Sequence, residues 1–474
     1  MKKSGKIILT LLAILAVITA FSVVVYTGAK AAVHPKELAS LSGKEGEDLN
    51  AYLDTLYPER TSIEIKPLPY SVRLDEPKVK CGSAILIDTL TGSILYEKNA
   101  DEEIPPASMT KLVEMFVVYQ AVSKGEVSLD DEVPLPPESW ARNLPSDASR
   151  MYLDEGQHVT LRELLLGLAI ASGNDASIAV ANYVCGSMDE FVDRMNMVVS
   201  DMGLVKTHFV ESSGYSELNL TTAREFAEFA RQYVNRYPET LELYHSQPSI
   251  TYPQRHNLPD NLQNSPSYDS VKQMNTNRLL DTIKGCDGLK TGFIYESGYN
   301  ITVTAEQNGT RFLSVTMQGP GSSTAEGNRY RVQDNKALFD FAFSTFADYR
   351  ADMAEKPHEF TVGVLGGDSD SVRLIPVYDE SLTVPFIFGN LPTESAYAVK
   401  AWSTIPDVIY GEVERGKAYG TIQYTLRGKT LREIPLVADR DVGRGNVFKR
   451  FFGSIEYSLI NKFAKKNQEP SSNS

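Results

Sequence analysis

The first clear pattern of apolar and polar positions is a pair of strand-like runs. Residues 83–88 (Ser-Ala-Ile-Leu-Ile-Asp) and 93–97 (Ser-Ile-Leu-Tyr-Glu) are rich in apolar and β-branched residues, and Thr91-Gly92 lies between them. Such runs on either side of a glycine turn are typical of a β-hairpin. The pattern predicts that the folded part of the chain begins with two antiparallel strands.

Helical spacing replaces the strand pattern after Pro105-Pro106. From Ser108 onward, apolar residues recur every three or four positions, at Leu112, Met115, Phe116, Tyr119 and Val122. This is the period of an α-helix, and Lys124-Gly125 supplies an end signal. The opposite side is also apolar, with Val113, Val117 and Val118. A helix that is apolar nearly all round is predicted to be buried.

A second helical region surrounds a short polar break. Thr160 has Glu163 three residues later, which is the signature of a capping box and predicts a helix start. The apolar pattern stops at Ser172-Gly173-Asn174 and resumes from Asp175 to Val184. We therefore predict a turn between two helices that presents its polar side chains outward. Asp175 is the predicted N-cap of the second helix.

Strand patterns return further along the chain. Residues 299–305 and 311–318 are joined by Asn308-Gly309, the strongest short signal for a hairpin. A helix over 333–346 is predicted to pack on this sheet. With the earlier segments, these elements predict an α+β fold in which an antiparallel sheet packs against a cluster of helices.

Beyond this domain the chain consists of short β runs broken by Gly, Pro and Asp. Residues 420–426 and 430–437 flank Arg427-Gly428-Lys429 as a predicted hairpin. This pattern indicates a small all-β domain without a catalytic constellation. We expect the catalytic domain at 81–348 and the small β-rich domain at 355–442.

The C-terminal region, residues 446–466, has an amphipathic helical pattern. Its apolar positions are Val447, Phe448, Phe451, Phe452, Ile455, Leu459 and Phe463. Its cations are Lys449, Arg450, Lys462, Lys465 and Lys466. A helix with aromatic residues on one side and cations on the other can lie in a membrane interface. The alternative is a helix packed on a protein core, and we favour the membrane because the segment follows a finished domain and precedes a polar tail.

The N-terminal region has a targeting pattern. Three lysines among the first six residues precede an apolar run at 7–26, and Ala29-Lys30-Ala31 follows. This order predicts a secretory signal, residues 1–31, cleaved after Ala31. The run is also about long enough to span a bilayer, so an uncleaved anchor is the alternative. Either way we expect export to the extracytoplasmic face of the cell membrane. Residues 32–80 are predicted to be a linker or leader with one short helix near Leu49–Leu56.

Composition narrows the function classes. The 474 residues are 42% hydrophobic and 23% charged, which is typical of a folded globular protein with two or three domains. The net charge of −14 argues against nucleic acid as a partner, because phosphate binding requires a positive surface. Three cysteines, Cys81, Cys185 and Cys286, are too few and too far apart for a disulfide framework.

Candidate chemistry begins with Ser108-Met109-Thr110-Lys111 at the start of the predicted buried helix. Side chains at i and i+3 share a helix face, so the Lys111 amine can reach the Ser108 hydroxyl. A serine needs such a base to become a nucleophile. A lysine can serve only if its pKa is lowered, and burial and a nearby cation both lower it. We expect Lys290 to provide that cation.

Two further motifs supply the remaining polar groups. In Ser172-Gly173-Asn174 the serine can pass a proton to a leaving amine, and the asparagine can hold Lys111 and the substrate backbone. In Lys290-Thr291-Gly292 the first two side chains can bind a carboxylate, and the glycine lets an extended peptide pair with the strand edge. The backbone N–H groups of Ser108 and Phe293 are candidate oxyanion donors. This chemistry requires neither a metal nor a cofactor.

In their order the three motifs resemble those of the serine D-alanyl-D-alanine carboxypeptidases, which are low-molecular-mass penicillin-binding proteins. The segments that carry the resemblance include Ala84-Ile-Leu-Ile-Asp88, Pro105-Pro-Ala-Ser-Met-Thr-Lys111, Ser172-Gly-Asn-Asp-Ala176, Thr221-Thr-Ala-Arg-Glu225, Asn275-Thr-Asn-Arg-Leu-Leu280 and Asp287-Gly-Leu-Lys-Thr-Gly292. The resemblance runs from about Ser83 to the C-terminus. It implies a penicillin-binding, β-lactamase-like transpeptidase domain, then a small all-β domain and a C-terminal membrane helix.

The resemblance also implies roles for individual residues. Ser108 would be acylated and Lys111 would be the base. The other residues of the implied site are Ser172, Asn174, Lys290, Thr291 and Gly292. In the family an arginine after the sheet helps hold the substrate carboxylate, and Arg331 fits this place best, with Arg329 next. The implied reaction removes the terminal D-Ala from peptidoglycan stem pentapeptides and so limits cross-linking, and β-lactam antibiotics would acylate the same serine.

One position departs from the family pattern, and three alternatives stay open. Ile294 stands where the family usually has Thr, which removes a hydroxyl near the substrate carboxylate. A D,D-endopeptidase would carry the same motifs, because they do not fix which amine leaves. A β-lactamase would need a deacylating glutamate, for which Glu217 is the candidate. A degenerate muropeptide-binding protein would have no turnover.

Overall fold

The structure is a computed structural model that describes residues 45–71, 75–350, 358–386 and 391–468. The predicted signal or anchor, residues 1–31, lies outside the described residues. Within the described ranges, no helix has both the length and the apolar character needed to cross a membrane. Cys81, Cys185 and Cys286 are all free thiols.

The described chain contains both helices and strands. The α-helices are α1 (Glu45–Leu56), α2 (Lys111–Ser123), α3 (Leu161–Leu166), α4 (Asn174–Cys185), α5 (Met188–Asp201), α6 (Ala223–Arg236), α7 (Thr324–Thr345), α8 (Pro392–Tyr397) and α9 (Val447–Gln468). The β-strands are β1 (Lys66–Pro67), β2 (Ser83–Asp88), β3 (Ser93–Lys98), β4 (Ser249–Tyr252), β5 (Val271–Met274), β6 (Cys286–Ile294), β7 (Gly298–Gln307), β8 (Thr310–Gly319), β9 (Phe346–Tyr349), β10 (Phe360–Leu365), β11 (Ser371–Pro376), β12 (Leu382–Pro385), β13 (Lys400–Thr404), β14 (Val408–Tyr410), β15 (Ala418–Leu426) and β16 (Lys429–Ala438). Mixed helices and strands agree with the predicted α+β class.

The larger of two compact units consists of Ile63–Met353 and Ser381–Val399. Its six-stranded sheet has the order β1-β3-β2-β8-β7-β6. The predicted hairpins β2–β3 and β7–β8 are confirmed, and both are antiparallel. Strand β2 is buried along its whole length, because alternate side chains enter two different apolar clusters. Ile85 and Ile87 pack with the cluster that holds α2 and α6, whereas Leu86 packs with the cluster that holds α7.

The helical predictions hold with two differences. Helix α2 is buried almost throughout, and Thr160 and Glu163 form the predicted capping box at the start of α3. Helix α7 begins well before the expected residue 333, because Ser323 caps its N-terminus and accepts a hydrogen bond from the Glu326 N–H. The predicted cap at Asp175 is wrong. Gly173 holds the N-cap position of α4, and Asp175 lies inside the helix.

The expected domain bounds differ from the compact units in the expected linker and in one internal segment. Residues 381–399 belong to the larger unit and not to the small β-rich domain. The physical reason is strand pairing, since β12 pairs antiparallel with β9, which directly follows α7. In addition, the Thr383 hydroxyl donates a hydrogen bond of 2.5 Å to Asp88 of β2.

The smaller unit comprises the described parts of Met1–Ser62, Ala354–Glu380 and Lys400–Ser474. Its six-stranded sheet has the order β13-β15-β16-β11-β10-β14, and the predicted β15–β16 hairpin is confirmed. Helix α9 packs on this unit through Tyr457, whose ring stacks on Tyr410 with centroids 5.3 Å apart.

Helix α1 confirms the short helix predicted near Leu49–Leu56 and belongs to this smaller unit. Leu53 is fully buried. The Tyr52 ring lies 4.7 Å from the Arg415 guanidinium. The Tyr57 hydroxyl donates to the Gly416 carbonyl at 2.8 Å. Residues 45–62 of the expected linker are therefore a packed part of the β unit, and residues from Ile63 onward belong to the larger unit.

Candidate active site

Ser108 lies in a tight turn between two glycines from distant segments. The turn is the 3₁₀ helix Ala107–Thr110, directly before α2. Ala107 has φ of 51°, a left-handed conformation that costs an L-residue about 1–2 kcal/mol. Gly292 and Gly214 both pack against this turn so closely that a Cβ would lie 2.5 Å from the Pro106 oxygen and 1.9 Å from the Ala107 oxygen, respectively.

The Lys111 amine is positioned by three oxygen atoms. Its Nζ lies 2.8 Å from Asn174 Oδ1, 2.5 Å from the Ser213 carbonyl oxygen and 3.4 Å from Ser108 Oγ. The first two are acceptors, so they take the two N–H bonds of a neutral amine. The lone pair of that amine then points toward the Ser108 hydroxyl. The local i, i+3 geometry expected from the sequence is present.

Burial lowers the pKa of Lys111 to about 8, and Glu114, Glu211 and Asp175 oppose this shift through their negative charges. Burial, one of the two expected causes, therefore accounts for the lowered pKa, whereas Lys290, the expected cation, is not among the groups that shift it. The apolar helices around α2 remove water from the amine, and this disfavours its charged form. Near neutral pH a usable fraction of Lys111 is therefore neutral.

Ser172-Gly173-Asn174 forms the predicted turn. Ser172 adopts φ of 59°, which ends the π-helical turn Gly167–Ala171 and directs the chain into α4. A Cβ on Gly173 would lie 2.9 Å from the Met151 nitrogen, so this contact requires glycine. The Ser172 hydroxyl accepts a hydrogen bond of 3.0 Å from Lys290. The second and third motifs are therefore in direct contact.

Asp175 anchors the loop that faces this turn. Its carboxylate accepts hydrogen bonds from the N–H groups of Met151, Tyr152 and Leu153 at 2.7, 2.7 and 3.0 Å. These bonds hold Tyr152 at φ of 78°, with its side chain 44% exposed. Asp175 thus holds the loop at 151–153 in place, a role that the residues next to it in the sequence do not indicate.

Lys290, Thr291 and Gly292 lie on β6, at one edge of the sheet. Lys290 is buried, and its pKa is far below the usual range because of burial first and then the cations Lys111 and Arg331. The Thr291 hydroxyl is 2.7 Å from that of Thr276. The Cβ that Gly292 lacks would be 3.1 Å from the Ser108 nitrogen, so strand and nucleophile turn touch. Phe293, the second candidate oxyanion donor, directly follows this contact.

Arg331 lies on the inner side of α7, near β6. Its guanidinium donates to the Gly292 carbonyl and to Asn328 Oδ1, and it stands 5.0 Å from the centre of the Tyr299 ring. Burial lowers the pKa of Arg331 to about 10, which leaves it charged at neutral pH. Arg329, the second choice, pairs with Glu326 at an exposed position. The structure thus brings Arg331, and not Arg329, to the third motif.

Sequence reasoning missed the segment that carries Ser213 and Gly214. The Ser213 carbonyl oxygen accepts from Lys111 at 2.5 Å. The segment is held by the Glu211 carboxylate, which accepts from the Ser213 N–H at 2.7 Å and from Asn219 Nδ2 at 2.9 Å. A Ser-Ser-Gly triplet in a loop was the available signal, but a backbone carbonyl has no signature in sequence.

Replacing Gly214 with alanine is expected to reduce kcat/KM about 100-fold or more. The new Cβ would collide with the Ala107 carbonyl and displace the nucleophile turn, and misplacement by about 1 Å costs roughly 100-fold. Gly203→Ala is the matched control, because Gly203 has nearly the same φ (76° against 75°) and nothing within 4 Å of its Cβ position. Steady-state kinetics on both variants checks this. Equal loss in the two would show that backbone strain, and not the contact, is responsible.

No histidine of the described residues hydrogen-bonds to Ser108, Lys111 or Lys290. His245 is buried, and its Nε2 lies 2.8 Å from the Tyr233 hydroxyl. Burial and the charge of Lys290 lower the pKa of His245 to about 3, so it is neutral. Among the described residues the constellation therefore consists of a serine and two lysines, without a histidine.

A helical cluster with a sheet, and a Ser-Lys pair clamped against the sheet edge, define a serine acyl-transfer enzyme of the penicillin-binding class. Residues 71–321 match the D-alanyl-D-alanine carboxypeptidase family, peptidase family S11. Residues 352–444 match the C-terminal domain of penicillin-binding protein 5. The chain belongs to the S11 D-alanyl-D-alanine carboxypeptidases, which confirms the predicted family, fold class and enzyme class.

Individual relatives agree with this assignment. The chain is 30% identical over 392 residues to the D-alanyl-D-alanine carboxypeptidase DacA of Haemophilus influenzae, covering 82% of this chain and 92% of the relative. It is 30% identical over 371 residues to DacF of Bacillus subtilis, covering 78% and 88%. Penicillin-binding protein 5 from H. influenzae superposes with a TM-score of 0.65 at 28% identity, covering 78% of this chain and 100% of that one.

A relative with a different activity is also similar. The D-alanyl-D-alanine endopeptidase of Pseudomonas aeruginosa is 28% identical over 277 residues, covering 57% of this chain and 82% of the relative. That alignment spans a smaller share of this chain than the carboxypeptidase alignments do.

Proposed function

We propose that the protein removes the terminal D-alanine from peptidoglycan stem peptides through an acyl-Ser108 intermediate. The observation that carries this proposal is the buried Lys111 amine. Two of its three partners are fixed acceptors, and the third is the Ser108 hydroxyl at 3.4 Å. This arrangement supports a neutral amine that takes the proton of the serine.

In the proposed acylation step, Lys111 accepts the Ser108 proton while Oγ attacks the carbonyl carbon of the penultimate D-alanine. The N–H groups of Ser108 and Phe293 would stabilise the oxyanion. The C–N bond of the tetrahedral intermediate then breaks, and the proton that Lys111 took would pass through Ser172, whose hydroxyl accepts from Lys290, to the leaving amine, which leaves Lys111 neutral. Water then attacks the acyl-enzyme with Lys111 again as the base, which releases the shortened peptide.

The substrate carboxylate would be bound beside β6. Arg331 supplies positive charge there, Lys290 supplies an amine and Thr291 supplies a hydroxyl. Ile294, at the end of β6, offers no hydroxyl, so carboxylate binding would depend on these three side chains. A β-lactam carries a carboxylate and a strained amide, and it would acylate Ser108 in the same orientation.

Purified protein should be incubated with uncross-linked pentapeptide muropeptides and with cross-linked dimers, and the products read by mass spectrometry. We expect the pentapeptide to lose one alanine while the dimer persists. Cleavage of the dimer alone would identify an endopeptidase, and no change in either substrate would identify a non-catalytic binding protein.

Persistent labelling by fluorescent penicillin would count against a β-lactamase. Its candidate glutamate, Glu217, is exposed on a turn.

We also propose that the protein is exported and contacts the membrane through α9. The helix has two different sides. Gly453 packs on the β unit, where a Cβ would lie 2.7 Å from the Gly366 nitrogen. The exposed side carries Val447, Phe448, Phe451, Phe452, Ile455 and Leu459, each at least 41% exposed. Exposed aromatic residues beside cations suit a bilayer interface.

The double variant Phe448→Asp/Phe451→Asp is expected to lose binding to anionic phospholipid vesicles at least 10-fold in co-sedimentation. These residues are 75% and 61% exposed, so the substitutions leave the packing of the β unit intact while placing charge in the interface. Val205→Asp, at a position 89% exposed in the larger unit, is the control. Undiminished sedimentation of the double variant would contradict the proposal.

A further inference from the structure

Glu114 is a buried carboxyl that none of the three motifs includes. Glu114 lies on α2 and is fully buried. Its Oε2 accepts a hydrogen bond of 2.8 Å from the Ser177 hydroxyl, which is 2.6 Å from the Ser212 hydroxyl. Its Oε1 has no hydrogen-bond partner among the described residues. A buried charge is costly unless it is paired, so this carboxyl requires an explanation.

Glu114 lies on the same helix as Lys111, the proposed base. Glu114 and Lys111 are three residues apart on one helix, which places both side chains on the same face. The two ends of this face are also joined through the neighbouring loop. Ser212 contacts the Ser177 hydroxyl that holds the carboxyl, and the next residue, Ser213, accepts from the Lys111 amine.

We propose that Glu114 is a positioning residue that sets the protonation state of Lys111. The negative charge of the ionised carboxyl stabilises the protonated amine, and the Ser177–Ser212 hydroxyl pair holds the carboxyl in place on the same helix face. When Glu114 is protonated this stabilisation is lost, and the neutral form of Lys111, the proposed base, is favoured. This inference rests on the proposed role of Lys111 in acylation.

Other charged groups also face Lys111, but their roles differ. Glu211 is satisfied by the Ser213 N–H and by Asn219. Asp175 accepts four backbone N–H bonds, three of them from the loop at 151–153. Lys290 lies on β6, and the charge of Lys111 contributes to the lowered pKa of Lys290. Glu114 alone among the three acids has a single hydrogen-bond donor in the described structure, so its charge depends most on Lys111.

The direction of the coupling follows from charge. Burial raises the pKa of Glu114 to about 8 and lowers that of Lys111 to about 8, so both groups change charge over the same pH range. An ionised Glu114 favours protonated Lys111. Removing the carboxylate therefore lowers the pKa of Lys111, and neutral base becomes available at lower pH. Losing the Ser177 hydrogen bond acts in the same direction, because that bond favours the ionised carboxyl.

The test is the pH dependence of kcat/KM for D-alanine release and of acylation by fluorescent penicillin, from about pH 5 to about pH 10. In Glu114→Gln, which preserves shape and can still accept from Ser177, the acid limb should move to lower pH by about one pH unit or more. Ser177→Ala should move it in the same direction by less. Glu228→Gln is the matched control, since Glu228 is a buried acid on α6 whose carboxylate accepts from the Ile65 N–H.

An acid limb that stays in place in Glu114→Gln, or that moves equally in Glu228→Gln, would overturn the inference. The inference would also be overturned if Glu114→Gln lowered kcat/KM at high pH without moving the acid limb, because Glu114 would then have only a structural role. If Glu114→Gln does not fold, Ser177→Ala decides by the same criterion. A different result would contradict the proposed function itself: the unmodified enzyme would show no turnover at any pH.

Discussion

Ser108→Ala is expected to reduce D-alanine release on the order of 10⁴- to 10⁶-fold, the range seen when a serine hydrolase loses its nucleophile. The proposed mechanism has no alternative nucleophile. The other hydroxyl in the constellation, on Ser172, accepts from Lys290 and is not among the partners of Lys111. Fluorescent penicillin should leave no covalent label on this variant.

The fold should tolerate this substitution. The Ser108 hydroxyl has one long hydrogen bond, 3.4 Å from Lys111, and its removal leaves Ala107, Gly214 and Gly292 in contact. The free energy of unfolding should therefore change by less than about 1 kcal/mol. Ser123→Ala, at the far end of α2, is the matched control, because its hydroxyl bonds only to the Tyr119 carbonyl. D-alanine release by Ser108→Ala at the native rate would refute the acyl-serine mechanism.

The parts of the site that the sequence predicts are local in the chain. Ser108 and Lys111 meet because the helix period brings i and i+3 together. The turn at Ser172-Gly173-Asn174 is visible because an apolar helical pattern stops there. Both features depend on neighbours within a few residues, and the structure contains both.

The parts that the sequence does not predict depend on distant partners. The Ser213 carbonyl meets an amine 102 positions earlier in the chain. Helix α1 was expected in a linker, yet Tyr57 bonds to Gly416, 359 positions away. Such contacts leave no periodic pattern, because one backbone carbonyl or one glycine is sufficient. Asp175 shows the same limit, since its partners are backbone N–H groups of a loop that has no motif.

The source of the lowered Lys111 pKa illustrates why chemistry needs the fold. Sequence reasoning named two causes, burial and a second cation, and expected Lys290 to be that cation because two lysine motifs were visible. The structure assigns the shift to burial beneath the helices, with three carboxylates acting in the opposite direction. Opposing effects of this kind cannot be summed before the burial of each group is known.

Lys111→Met is expected to lower the acylation rate about 10²- to 10⁴-fold, the usual contribution of a positioned general base. Methionine has a similar length and fills the buried space, but it cannot accept the Ser108 proton. Lys111→Arg should be equally impaired, because a guanidinium stays protonated at every accessible pH. The comparison separates two possible roles. If Lys111 acted only as a positive charge near the oxyanion, the arginine variant would keep most of its activity.

The measurement is the rate of acylation by fluorescent penicillin across pH, with unfolding followed in parallel. In the unmodified enzyme, the base is neutral above its pKa of about 8, so the rate should rise with pH through that value and then level off. In both variants this rise should be absent, since neither side chain titrates there. A Lys111→Met enzyme that retains the rise would show that another group is the base.

Asn174 and the Ser213 carbonyl lose a donor in the methionine variant, which costs about 1–3 kcal/mol for each unsatisfied group. The removal of a buried amine offsets part of that cost. A folded but unreactive methionine variant is therefore the expected result, and it would assign the rate loss to the missing base.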